Sequence, residues 1–212
     1  MRMILAVILL TACTESKRGS LEDGRILGIG DSIFEWNTGD GSVIEVIGEV
    51  LEQPAYNNAI SGSMISTDDE WSIPNQWIEG DWDWVVLDGG ANDLNEHCQC
   101  GECASVHDEI ETAYVNLIST LRTQNVNVVI WGYYVFPEES EEFGICNDNV
   151  NVLSEMQQTL AATDTGVLWV DGREQINGED LSYFDDDLIH PSVSGSKLIG
   201  EQIARAIQVV GK

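Results

Sequence analysis

The chain reads as an α/β domain, a three-layer α/β/α sandwich around a mainly parallel sheet of roughly five strands. Three observations lead there. Short, fully apolar runs such as Trp84–Leu87 (WVVL) and residues 167–170 (VLWV) suit strands buried on both faces, as in a parallel sheet covered by helices. Between them lie segments with apolar residues at three- and four-residue spacing, the helical period. The two kinds alternate five times along the chain, the pattern that builds parallel sheets with helices on both sides.

The elements follow in order. Residues 25–30 (RILGIG) form a strand that stops at Asp31-Ser32. Val43–Leu51 carries a helical apolar stripe that ends before Gln53-Pro54, a helix stop. Residues 55–62 (AYNNAISG) are a short strand and turn, and Trp84–Leu87 is a strand followed by Asp88-Gly89-Gly90. Residues 110–121 and 150–162 are helices, residues 126–136 (VNVVIWGYYVF) a strand closed by Pro137, residues 167–170 a strand, and residues 194–209 a last amphipathic helix. The least regular stretch is residues 95–103 (NEHCQCGEC), which is expected to be a loop beside the site. The body, residues 25–212, is one domain, expected to be a monomer.

The first twelve residues (MRMILAVILLTA) look like an address rather than part of the fold. One Arg precedes an apolar run over residues 3–10, too short for a spanning helix and shaped like a secretory signal. It ends in Leu10-Thr11-Ala12-Cys13, which resembles the lipobox of bacterial lipoproteins. That resemblance implies cleavage before Cys13, lipidation of its thiol and contact with the membrane through the lipid. Thr14, where Asp would hold a lipoprotein at the inner membrane, favours the outer membrane of a bacterial envelope. Residues 13–24 are then the lipidated Cys and a polar, flexible tether.

Thirty-seven acids face nine bases, a formal net charge of -28. Phosphate binding needs a cationic footprint, so nucleic acid is excluded as a partner. Strongly anionic substrates and adsorption to anionic lipid are disfavoured by the same field. No acidic loop of the EF-hand type is present.

The chemistry-bearing residues stand in four places, each at a predicted strand end or just before the last helix. In Gly30-Asp31-Ser32-Ile33 the serine follows a strand directly, so its hydroxyl stands at the strand mouth, where such sheets bind ligands. In residues 57–62 (NNAISG) the glycine lets a main-chain N–H approach a ligand closely. Gly90-Ala91-Asn92-Asp93 offers an amide donor. In Asp187-Leu188-Ile189-His190-Pro191 a turn can aim the carboxylate at the imidazole. The G-x-S-x-G elbow of another hydrolase class is absent. Four such blocks in this order resemble the SGNH/GDSL hydrolase family over nearly the whole mature chain. Ile33 stands where the family often has Leu.

The resemblance implies a flavodoxin-like fold and a serine esterase that needs no cofactor or metal. Ser32 would attack an ester carbonyl, His190 would carry its proton, and Asp187 would orient the ring. The N–H groups of Ser32 and Gly62 and the Asn92 amide would hold the oxyanion. Small acyl esters, lysophospholipids and acetylated sugars are the expected small-molecule substrates. An O-acyltransferase and a silent glycan-binding surface lipoprotein are the rival readings. Asp31 and Asp93 are expected to brace loops, Asp185 and Asp186 to be solvated, and Trp36 to serve either the pocket or the core.

Four Cys remain beyond Cys13: Cys98, Cys100, Cys103 and Cys146. An even number in an exported chain points to two disulfides. Cys98 to Cys100 closes too small a ring, so one bond is expected from the loop to Cys146. The alternative is a metal site that adds His97 or His107, without clean C-x-x-C hooks.

Overall fold

The computed structural model describes residues 26–210; the signal-like segment, Cys13 and the tether lie outside them. The strands are β1 (Ile26–Ile29), β2 (Ala55–Asn57), β3 (Trp84–Leu87), β4 (Asn127–Gly132) and β5 (Val167–Asp171). The helices are α1 (Ser32–Glu35), α2 (Val43–Leu51), α3 (Ala91–Cys98), α4 (Ala104–Thr123), α5 (Asn147–Ala161) and α6 (Val193–Val210). The sheet order is β2-β1-β3-β4-β5, and every neighbouring pair is parallel. Leu27 stands opposite Tyr56 on one side and Val85 on the other.

Burial explains the apolar runs. Ile26, Leu27 and Ile29 of β1, Val85 to Leu87 of β3 and Val128 to Trp131 of β4 are inaccessible to solvent. Helices α2 and α6 pack together on one side of the sheet, while α4 and α5 pack on each other and on β4 and β5. Ser42 starts α2 with a reciprocal cap: its hydroxyl accepts from Glu45 N–H, and the Glu45 carboxylate accepts from Ser42 N–H.

All strands run the same way, so their carboxyl ends share one edge. The chain leaves β1 to build β2 on one side, then crosses back to build β3 on the other. The sheet order therefore switches direction at β1, and a crevice opens beyond the carboxyl ends of β1 and β3. The Ser32, Gly62 and Asn92 segments follow β1, β2 and β3 respectively.

Several bounds differ from the sequence reading. The expected loop at 95–103 is helical over its first four residues, because α3 runs from Ala91 to Cys98, and it is turn and loop from Gln99 to Cys103. Its apolar content is too low to show a helical period, and Leu94 is its one large buried aliphatic side chain. Strand β4 stops at Gly132, and residues 133–136 leave the sheet, with Val135 N–H donating to Ile176 O. Their apolar character comes from burial of Tyr133, Tyr134 and Phe136 in an aromatic cluster rather than from a sheet ladder. Helices α4 and α5 begin earlier than their apolar stripes, at Ala104 and Asn147.

Candidate active site

Ser32 opens α1 and is half-buried. Asp31 caps that helix, its Oδ1 accepting from Ile33 N–H at 2.9 Å. Its other oxygen accepts from the buried Tyr133 hydroxyl. Asp31 N–H donates to Asp88 Oδ1 at 2.8 Å. Among the described residues, neither the Ser32 hydroxyl nor the N–H groups of Ser32 and Gly62 carry a hydrogen bond, so all three are available to a ligand.

The His190 loop is built as a closed turn. Phe184 and Pro191 form an isolated antiparallel bridge, and Asp185 N–H donates to His190 O at 2.8 Å. The Tyr134 hydroxyl donates to Ile189 O and ties the loop to the aromatic cluster. Within the turn, Asp187 Oδ1 accepts from the main-chain N–H groups of Ile189 and His190, both at 2.9 Å. Its Oδ2 lies 2.6 Å from His190 Nδ1. Partial burial pulls the Asp187 carboxyl up, but its hydrogen bonds from the His190 ring and the two N–H groups outweigh this and hold it below its ordinary value.

The imidazole lies flat against Trp36, ring centroids 3.9 Å apart and planes 9° from parallel. Trp36 caps α1, and its N–H donates to Ser32 O at 2.9 Å. The His190 ring therefore stacks on the residue one helical turn beyond Ser32. The Trp36 indole N–H also donates to Asp185 Oδ2 at 3.0 Å. This corrects the expectation that Asp185 is merely solvated, and it gives Trp36 a place at the site rather than in the core. Asp186 is exposed.

On the far side, Gly62 has φ +75°, a left-handed conformation that a side chain would strain, although a Cβ there would meet nothing within 4 Å. The Gly62 requirement is conformational rather than one of space. Ser61 Oγ donates to Glu35 Oε2 at 2.6 Å and ties this turn to α1. Asn92 Nδ2 donates to Ser63 O at 3.0 Å, which uses one of its two hydrogens and leaves the other for a ligand. Asp93 is buried and braces the same loop, its oxygens accepting from Ile65 and Ser66 N–H.

Asp31 and Asp88 are both buried, and the bond from Asp31 N–H to Asp88 Oδ1 joins them. A Cβ on Gly30 would fall 1.7 Å from Asp88 Oδ1. Burial pushes both pKa values up; hydrogen bonds from Tyr133 and Ile33 restrain the rise at Asp31, and the Asp31 charge adds to it at Asp88. Asp88 therefore holds its proton well beyond the usual carboxylate range. Asp88, Gln76, Ser63 and Tyr134 carry no motif that would have marked them in the sequence.

The cysteines pair as Cys98–Cys103 and Cys100–Cys146. They lie at the C-terminal end of α3, about 9 Å along its axis from Asn92, so they brace the far end of the helix rather than stand directly beside the amide. Among the described residues no group of three or more His, Cys, Asp or Glu is placed to hold a metal ion. His107 instead lies within hydrogen-bond distance of Asn149, and His97 is exposed.

An all-parallel five-stranded sheet with these candidate groups on the segments that follow its strands fits a hydrolase of the SGNH/GDSL type. Residues 29–198 match the GDSL-like lipase/acylhydrolase family, and the chain belongs to that family. No curated protein matches the chain. Among solved structures, a candidate platelet activating factor from Streptococcus pneumonia superposes with TM-score 0.68 at 19% identity, over 88% of this chain and 85% of that one. A candidate acylhydrolase from Bacteroides fragilis gives 0.68 at 16% identity, over 91% and 93%. A catalytic mutant of an acetylxylan esterase from Geobacillus stearothermophilus gives 0.62 at 18% identity, over 89% and 94%. At these identities the likeness carries the fold alone.

Proposed function

We propose that the protein is a serine esterase that hydrolyses small acyl esters of neutral alcohols, acetylated sugars foremost, through an acyl-enzyme on Ser32. The observation that carries this reading is the Asp187–His190 pair stacked on Trp36, one helical turn from Ser32. In this scheme Ser32 Oγ attacks the ester carbonyl while His190 Nε2 takes its proton. The resulting oxyanion meets the Ser32 and Gly62 N–H groups and the free hydrogen of the Asn92 amide. His190 returns the proton to the leaving alcohol, and water then repeats the sequence on the acyl-enzyme. Asp187 stays ionised throughout and stabilises the imidazolium.

Three features support a neutral sugar alcohol. Glu35, Asp185, Asp186 and Asp187 place only acids on the segments around the site, and they disfavour anionic esters. Trp71 is 59% exposed on a loop whose main chain is held by Ser63 Oγ, beside Gly62, and offers an aromatic face to a sugar ring. The acetylxylan esterase shares the fold. By the same reading the chain works in the cell envelope, anchored through Cys13.

The test uses a fluorophosphonate probe and a graded ester panel on the soluble mature form. Labelling and turnover in the wild type, with both lost in a folded Ser32→Ala variant, are the expected results. Labelling that persists in Ser32→Ala removes the nucleophile. A preference for long-chain lysophospholipid over acetylated xylo-oligosaccharide removes the substrate class. Acyl transfer to an added sugar in preference to water would make the enzyme a transferase.

A further inference from the structure

Gln76 lies outside every motif, yet its side chain touches the supports of all three oxyanion donors. It closes a 3-10 turn (Ile73–Gln76) and is 2% exposed. Its Oε1 accepts from Gly30 N–H at 2.7 Å, and its Nε2 donates back to Gly30 O at 2.8 Å. The amide thus imitates a neighbouring strand at the end of β1, two residues before Ser32. Its Nε2 also donates to Ser63 Oγ at 2.9 Å, the residue after Gly62. Ser63 in turn accepts from Asn92 Nδ2 through its own carbonyl, and its hydroxyl donates to Trp71 O.

The arrangement has one workable sense. Both Nε2 hydrogens are used, and the oxygen faces an N–H. Flipping the amide would set a donor against Gly30 N–H and an acceptor against Gly30 O. A fourth bond, Asn58 Nδ2 to Gln76 O at 2.6 Å, holds the main chain of the residue to the segment after β2. One buried side chain therefore spans the end of β1 and the loop after β2, and through Ser63 it reaches the start of α3.

We propose that Gln76 is a positioning residue that sets the mutual spacing of the Ser32, Gly62 and Asn92 donors, acting through Gly30 and Ser63. The proposal rests on the oxyanion reading above. Gln76 touches no reacting atom, so its effect lies in geometry: a misplacement on the order of 1 Å costs about 100-fold in rate. It does not touch the Asp187–His190 pair, so the protonation of the base is outside its reach.

The test compares Gln76→Met, which keeps the length and loses every side-chain bond, with Gln76→Glu, which keeps the acceptor and loses the donors. In both, kcat is expected to fall roughly 10- to 100-fold with KM within about 2-fold, and in Gln76→Met, which adds no ionisable group, the acidic limb of the pH profile is expected to stay in place. Affinity for a trifluoromethyl ketone, which mimics the tetrahedral state, should weaken in step with kcat. If Gln76→Met does not fold, Ser63→Ala removes one arm of the network and should lower kcat by a smaller factor with KM held. Asn92→Ala separates the two ideas. If it lowers kcat about 100-fold or more while folded Gln76→Met stays within 2-fold of wild type, this proposal alone is overturned. If Asn92→Ala leaves kcat intact, the oxyanion reading falls and takes the proposal with it. In the Asn92→Ala background, Gln76→Met should cost less than in wild type, because part of its effect passes through Asn92; full additivity would count against the proposed route.

Discussion

Replacing Asp187 by Asn should disable the enzyme while leaving the loop folded, and the structure says why. The two main-chain N–H groups of Ile189 and His190 both meet Oδ1. Those donors select the oxygen of an introduced amide, which must therefore occupy the Oδ1 position. The amide nitrogen is then forced to the Oδ2 position, 2.6 Å from His190 Nδ1 in the native pair. A nitrogen there donates, so Nδ1 must become the acceptor and the ring proton moves to Nε2. A ring protonated at Nε2 cannot take the Ser32 proton. In the general serine triad this tautomer error lowers kcat by about 10⁴-fold, or about 5 kcal/mol of barrier. Because the Asp187 carboxyl is held below its ordinary value, it stays ionised across the neutral range. The loss therefore reflects the donor pattern rather than a titration of Asp187. Steady-state hydrolysis of p-nitrophenyl acetate from pH 6 to 9, with thermal unfolding as the folding check, measures it. A folded variant within about 10-fold of wild-type kcat would refute the tautomer argument.

Trp36→Ala removes the stack on His190, worth about 0.5–1.5 kcal/mol, so kcat should fall roughly 2- to 13-fold, whereas Trp36→Phe should retain most of it; equal losses in the two variants would show that the indole bond to Asp185, not the stack, matters. Removing the Cys100–Cys146 bond by a double alanine substitution opens a loop with sequence separation 46, and should cost about 4 kcal/mol in urea unfolding. A loss under about 1 kcal/mol would refute the chain-entropy account for this bond. Asp88 has a native pKa raised above that of the unfolded chain, so its contribution is fully present below the unfolded value and is lost as pH rises through the native one. Asp88→Asn carries no titratable proton, so the variant should gain stability relative to wild type as pH rises above the ordinary carboxylate value of 3.8, at up to about 1.4 kcal/mol per pH unit until Asp88 ionises in the folded wild type. A thermal-midpoint difference independent of pH would exclude Asp88 as the titrating group.

Much of this protein is readable from local pattern. The buried strands announce themselves because a strand covered on both faces must be apolar at every position, as at Trp84–Leu87. Ser32, Gly62, Asn92 and His190 are legible as candidates because each sits in a short block, beside a strand end or ahead of the last helix, and the four blocks in this order resemble those of the SGNH/GDSL family. The Asp187–His190 contact is of that kind, a three-residue turn that closes on itself.

What the sequence could not decide depends on partners distant along the chain. Helix α3 was hidden because its stability comes from packing on α4 and from its disulfides rather than from an apolar stripe of its own. Trp36 and Asp185 became site neighbours only when a 149-residue separation closed to 3.0 Å. Gln76 reaches Gly30 across 46 residues, and Tyr133 reaches Asp31 across 102. A polar side chain in a loop has no periodicity to betray whether it will be buried. The strands and most of the helices follow from spacing along one segment, and the candidate site residues follow from short blocks that resemble those of the family. Which buried polar groups brace them is settled by the packed fold, because satisfying a hydrogen bond inside a core depends on where every other donor and acceptor has come to rest.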